Sequence, residues 1–252
     1  MRSFAVLAFL ATSAAVGAQP LTTDRPDFTE SPLAVAPGRV QVEVGTTFED
    51  FGDGFTQFIA PETLVRIGVL PFAEVRLGAP NYVVRDRGLP DEAGLLRGTD
   101  DPAIGLKLEL PSPAGIDLAF LPSTTIPLKD DDPEVFGAER LQPSFLLIAG
   151  TDVTPTISIG TQGGIAYLEP GLDGAELAGT FVVGVSLTEQ ASVFAEVAAT
   201  DIIDLDAPAA VLLHTGATLL LSDDLQLDAH VGAGLSDTAP DYLVGVGASA
   251  RF

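Results

Sequence analysis

Apolar and polar residues alternate with a period of two along most of this chain. In RVQVEVGTTF, at 39–48, Val40, Val42 and Val44 share one face, while Arg39, Gln41, Glu43 and Gly45 share the other. In ETLVRIGV, Val65, Ile67 and Val69 oppose Glu62, Arg66 and Gly68; in AEVRLGA, Val75 and Leu77 oppose Glu74, Arg76 and Gly78. Ile104, Leu106 and Leu108 oppose Gly105, Lys107 and Glu109, and Leu225, Leu227, Ala229 and Val231 oppose Gln226, Asp228, His230 and Gly232. The final stretch sets Tyr242, Val244, Val246, Ala248 and Phe252 against Gly245, Gly247, Ser249 and Arg251. Successive side chains of a strand point to opposite faces, so this period predicts strands. Helical periodicity is scarce, and 19 prolines and 26 glycines break the chain at short intervals.

The pattern predicts twelve strands, at 39–48, 57–69, 72–83, 100–110, 115–126, 140–150, 155–166, 176–187, 191–201, 209–221, 225–236 and 240–252. Those at 115–126, 140–150 and 209–221 are apolar on both faces. The links alternate in length. Short turns fall near Leu70, Pro111, Thr151, Thr188 and Ser222; longer links run over 49–56, 84–99, 127–139, 167–175 and 202–208. The link near Asp237 is short and breaks the rule. Short turns at one end and long loops at the other are the layout of an outer-membrane barrel, and an even strand number puts both termini at the short-turn, periplasmic end.

Alternation also suits a soluble β-sandwich, whose apolar face points inward. Three features favour the inverted, membrane arrangement. Many strands reach about 10 residues, enough to cross a bilayer when tilted, whereas ordinary strands average about 5–6. The polar face carries both signs of charge at strand centres, in Arg66, Arg76, Lys107 and Asp228, as a lumen wall does. Glycines recur on that same face, at Gly45, Gly68, Gly105, Gly216, Gly245 and Gly247 among others, as a crowded, curved interior requires. The aromatic girdle is thin, with no Trp and three Tyr, at 82, 167 and 242, supplemented by Phe48, Phe58 and Phe72.

The chain ends add addresses. Arg2, the apolar run FAVLAFLATSAAV and the small residues VGA at 16–18 predict a cleaved export signal over 1–18. Beyond it no apolar run is long enough for a spanning helix. The strand ending SARF closes on an aromatic, Phe252, which resembles the signal read by bacterial outer-membrane assembly machinery.

Composition narrows the chemistry. The chain has 252 residues and a net charge of −23, with 46% hydrophobic residues, too apolar for acidic disorder. This charge repels phosphate, and no basic patch exists, so nucleic acid is excluded as a partner. Cysteine is absent, so no disulfide or thiolate metal site can form. The acidic runs KDDDPE and GTDDP do not match a calcium loop, and no metal or other cofactor is expected. His214 and His230 are the only histidines. Ser249 and Asp228 fall on the same predicted face, but no local serine–histidine motif accompanies them, and no catalytic residue is assigned. Acidic loop tips suit either a saline habitat or a cation-favouring pore mouth.

Two segments carry a family likeness: TTDRPDFTESPLAVAPGRVQVEVG at 22–45 and HVGAGLSDTAPDYLVGVGASARF at 230–252, with LLRGTDDPAIGLKLEL between them. Together they resemble the outer-membrane transporter family labelled "MetA-pathway of phenol degradation". The resemblance spans nearly the whole chain after residue 18. It implies a barrel and a transport role linked to aromatic degradation.

The sequence reads as an all-β antiparallel transmembrane β-barrel of about 12 strands over 39–252, with short periplasmic turns and longer acidic extracellular loops. Outer-membrane lipid surrounds it. Its expected function is passive passage of small solutes, apolar or aromatic ones included. The alternatives are a structural or adhesive barrel and a soluble exported sandwich. The expected lumen-lining residues are Arg39, Glu43, Arg66, Glu74, Arg76, Lys107, Glu109, His214, Asp228, His230 and Arg251. The segment 19–38 holds four prolines, which disfavour helix and central strand. It is read as a periplasmic lumen cap in which Asp24, Arg25 and Asp27 pair with Arg39, Glu43, Arg76 or Arg251.

Overall fold

A computed structural model describes residues 21–89, 94–113, 115–128, 136–168, 175–203 and 207–252. The export signal, the KDDDPE run and several acidic loop tips therefore lie outside the described residues.

The strands are β1 (Val40–Asp50), β2 (Phe55–Leu70), β3 (Ala73–Gly78), β4 (Tyr82–Arg87), β5 (Leu95–Thr99), β6 (Ala103–Leu110), β7 (Asp117–Thr125), β8 (Gln142–Thr154), β9 (Ile157–Tyr167), β10 (Ala175–Ser186), β11 (Ala191–Ile202), β12 (Ala210–Ser222), β13 (Leu225–Gly234) and β14 (Tyr242–Arg251). All neighbours pair antiparallel. β1 pairs with β14 on one side, from Gln41↔Arg251 to Asp50↔Tyr242, and with β2 on the other, so the sheet closes. β3 and β4 both pair with β2 and form one broken wall strand; β5 and β6 form the next. The barrel thus has twelve wall strands. A closed sheet leaves no unpaired edge.

The pattern-based boundaries fail mainly at these breaks. The alternation makes 84–99 a long link, whereas Tyr82–Arg87 and Leu95–Thr99 continue the wall as strands. Arg85 there bonds Gln57 on β2 (2.9 and 2.6 Å), so its charge marks a polar rim, not a loop. The final link spans 235–241 instead of three residues, which removes the one exception to the short–long alternation.

Polarity is inverted relative to a sandwich. The wholly buried side chains include Arg66, Lys107, Glu43, Glu74, Glu196 and His214. Leu147, Phe181, Leu213, Val231 and Val246 instead stand about half exposed on the outer face. An apolar outer belt around a polar, charged interior is stable only with lipid outside. Tyr167 and Tyr242 are exposed at the loop-side strand ends, where Phe48 lies 6.2 Å from Tyr242 ring to ring, and Tyr82 is exposed at the start of β4. Phe72 and Phe252 mark the turn side. The apolar inner faces of β7 and β8 also find a reason. Ala119, Leu121 and Ile148 cluster inside the barrel, and Gly150 beside them faces Pro32 of the N-terminal segment.

Candidate functional site

Residues 21–38 run inside the barrel. The segment enters from the turn side, where the Gly38 N–H donates to the Gly68 carbonyl (2.8 Å). Val35 N–H then donates to Glu74 (2.7 Å) and Ala34 N–H to Glu109 (2.7 Å). Glu30 N–H reaches Gln162 on β9 (2.9 Å), and Thr29 Oγ1 meets Thr180 on β10 (2.5 Å). Glu196 on β11 accepts both Thr29 groups, N–H (2.8 Å) and Oγ1 (2.6 Å), and also the Phe28 N–H (2.9 Å). Phe28 packs over His214 on β12, with ring centroids 4.5 Å apart. Arg25 bonds Asp228 on β13 (3.2 Å) and Glu62 on β2 (3.0 Å). Asp24 N–H and Arg25 N–H donate to Glu43 on β1 (3.0–3.2 Å). Finally Ser31 N–H donates to Asp24 Oδ1 (2.9 Å), which closes the segment on itself. The proline-rich chain cannot bond internally as helix or sheet, so its backbone groups take partners from the wall.

The strongest anchors are ionic. Asp24 accepts from Lys107 (3.0 and 3.2 Å), lies 3.2 Å from Arg66 and also pairs with Arg76. Arg76 holds both Glu30 oxygens with one guanidinium nitrogen (2.9 and 2.7 Å). Arg66 ties Glu74 (2.8 and 3.1 Å) to Glu43 (3.1 Å) and also donates to the Thr22 and Leu33 carbonyls. Burial alone would raise the Asp24 carboxyl, but the Arg66, Arg76 and Lys107 charges hold it well below the usual carboxylate range. Burial pushes Asp27 up, and the nearby Glu196 charge adds to it. Burial also pushes Glu30 up to about 7, against the pull of Arg76.

These directions fix a pH dependence. Asp27 and Glu30 are better tolerated in the seat as neutral acids than ordinary carboxyls are. Their contribution to seating is therefore complete at low pH and declines as pH rises from the ordinary carboxylate range through about 7. Conductance across a planar bilayer is expected to be larger at pH 8 than at pH 5, and the D27N/E30Q variant should flatten that difference.

Arg25 needs a glycine floor. A Cβ on Gly45 would overlap its guanidinium carbon, and one on Gly247 its Nε. Gly45→Leu is expected to eject Arg25, break its bonds to Glu62 and Asp228, and raise conductance several-fold while the barrel stays heat-modifiable.

Among the sequence-predicted residues, the segment meets Glu43, Arg66, Glu74, Arg76, Lys107, Glu109, His214 and Asp228 directly. Arg39 and Arg251 do not meet the segment's acids. Both bond Asp224 in the β12–β13 turn, at 3.0 and 2.7 Å, and Arg39 is half exposed there. Asp27 lies near Glu196, and among the described residues no ion pair to it is formed. His230 bonds His214 Nε2 (2.9 Å), whose Nδ1 bonds Glu196 (2.9 Å). Among the described residues, Ser249 Oγ makes no hydrogen bond to either histidine. Glu196 is absent from the sequence-based expectations, and Glu62 appears there only as a polar-face residue, outside the expected lumen-lining set. A lone acid in the apolar run of Phe194, Ala195 and Val197 was the available signal for the first.

A cavity of about 270 Å³ remains between the segment and the wall, lined by Asp27, Glu30, Asp152, Ser158 and Gly160. Among the described residues, no group of histidine, aspartate and glutamate has the arrangement to hold a metal ion.

The comparisons with known proteins agree with this architecture. The family model described as "Putative MetA-pathway of phenol degradation" matches residues 23–252. The chain belongs to this family. Among solved structures it is similar to the COG4313 outer membrane channel from Pseudomonas putida F1, with TM-score 0.66 and 12% identity over 87% of this chain and 97% of that one. It is also similar to the KdgM porin (TM-score 0.57, 9% identity, 84% and 99% covered) and to the NanC porin (TM-score 0.57, 8% identity, 84% and 100% covered). At these identities the likeness concerns the fold. No curated protein matches the chain.

Proposed function

We propose that this protein is an outer-membrane channel for passive passage of small solutes, gated by its own N-terminal segment. One observation carries the reading. The barrel interior is a polar girdle, and what fills it is a single irregular segment held by hydrogen bonds and ion pairs instead of a packed apolar core. Polar contacts of this kind can be exchanged for contacts with water and solute, whereas a packed core cannot open piecemeal. The structural relatives are named as porins or channels, and the family label points to apolar or aromatic solutes. Export through a cleaved signal and insertion through an exposed C-terminal Phe252 belong to the same reading.

Liposome swelling with graded sugars and aromatic acids tests it. Swelling that falls with solute size supports a channel. Folded barrels that permit no swelling with any solute would leave a structural or adhesive role in its place.

A further inference from the structure

Arg66, Arg76 and Lys107, on β2, β3 and β6, converge on Asp24. Their side chains are at most 8% exposed. The wall satisfies them unequally. Arg66 has Glu74 and Glu43 as firm wall partners. Among the described wall residues, Arg76 and Lys107 meet one carboxylate oxygen, Glu74 Oε1, at 3.2 and 3.6 Å. Their remaining bonds come from the segment: Asp24 bridges Lys107, Arg66 and Arg76, and Glu30 takes the free Arg76 nitrogen and lies 3.7 Å from Lys107.

A buried cation without a counter-charge is strongly disfavoured. If the segment leaves, Arg76 and Lys107 must recruit replacement anions. Asp24 and Glu30 sit on neighbouring nitrogens of one guanidinium, so a single short molecule with two carboxylates can occupy both places. We propose that Arg66, Arg76 and Lys107 form a binding site for a small dicarboxylate, and that Asp24 and Glu30 fill this site as an internal stand-in. The proposal rests on the channel reading and deepens it: solute and segment compete for the same cations, so arrival of the ligand helps displace the gate. The acidic loops do not prevent this, because their repulsion is screened over about 8 Å at physiological ionic strength. The buried cations act at contact distance.

The test is titration calorimetry on the full-length barrel in detergent, with succinate, propionate and succinamide as probes. The D24A/E30A variant is expected to bind succinate roughly tenfold or more tightly than propionate, and succinamide not detectably, since charge-assisted bidentate contacts dominate. Wild type should bind succinate at least about tenfold more weakly than the variant, because its site is occupied. Adding K107M should abolish the gain. Equal succinate binding by wild type and variant, or succinate no tighter than propionate, overturns the proposal. Hydrogen exchange on wild type avoids dependence on the variant's folding: succinate should accelerate exchange at residues 24–30, and unchanged exchange at saturating succinate counts against the site. Swelling with neutral sugars separates the two readings. Sugar passage without succinate binding leaves the channel intact and removes this site. Succinate binding without sugar passage does the reverse.

Discussion

Asp24→Ala is expected to raise single-channel conductance several-fold. Asp24 is the knot of the segment: its carboxylate joins Lys107, Arg66 and Arg76, and its Oδ1 also accepts the Ser31 N–H that closes the loop. Removing one partner from a buried ionic cluster costs about 3–5 kcal/mol, because the other charges remain buried without compensation. Most of that loss falls on the seated state, since a released segment leaves Arg76 and Lys107 open to water and ions. The equilibrium should therefore move toward release by several powers of ten, at 1.4 kcal/mol per tenfold. A tether distinguishes release from a damaged wall. Thr29 Oγ1 and Thr180 Oγ1 lie 2.5 Å apart, and the chain has no cysteine. In D24A/T29C/T180C, oxidation should return conductance to the wild-type level and reduction should raise it again. High conductance that persists after oxidation would locate the effect in the wall.

Arg66→Ala should be the most destabilising single change in the barrel. This guanidinium is fully buried and makes contact with Glu74, Glu43, Asp24 and two segment carbonyls at once. Its loss removes the cation that joins Glu43 on β1 to Glu74 on β3 across β2, and leaves Glu43 buried without a salt-bridge partner among the described residues, again about 3–5 kcal/mol. The heat-resistant compact band on a denaturing gel should disappear at a markedly lower temperature than in wild type. Arg39→Ala provides the contrast. Arg39 pairs with Asp224 in solvent at the barrel end, with side chains 43% and 44% exposed, so little change is expected.

These contrasts show how much of the molecule was legible in its sequence. The fold was legible because lipid outside and charge inside impose opposite faces on every strand, and the positions of Arg66, Arg76, Lys107 and Asp228 reported the inner one. The pattern weakened where the segment changed the rule. The inner faces of β7 and β8 carry the cluster of Ala119, Leu121 and Ile148, and Gly150 beside it lies under Pro32 of the segment, so they read as apolar on both sides. The breaks between β3 and β4 and between β5 and β6 were not legible, because polar residues at a rim resemble loop residues. The segment itself was visible as a mixed-charge, proline-rich stretch, but its partners were not. Pairing across the lumen depends on strand register and on which side of the barrel each carboxylate faces, neither of which is local. Hence Arg39 and Arg251 looked like partners for Asp24 and instead serve Asp224 at the turn.

The central claim is that residues 22–30 occupy the conducting path of an outer-membrane channel. Single-channel recording of the intact chain beside a chain lacking residues 22–30 tests it most directly, once both show heat-modifiable mobility. The account predicts small or rare openings in the intact chain and several-fold larger, long-lived steps after the deletion. Equal conductance in the two would contradict it.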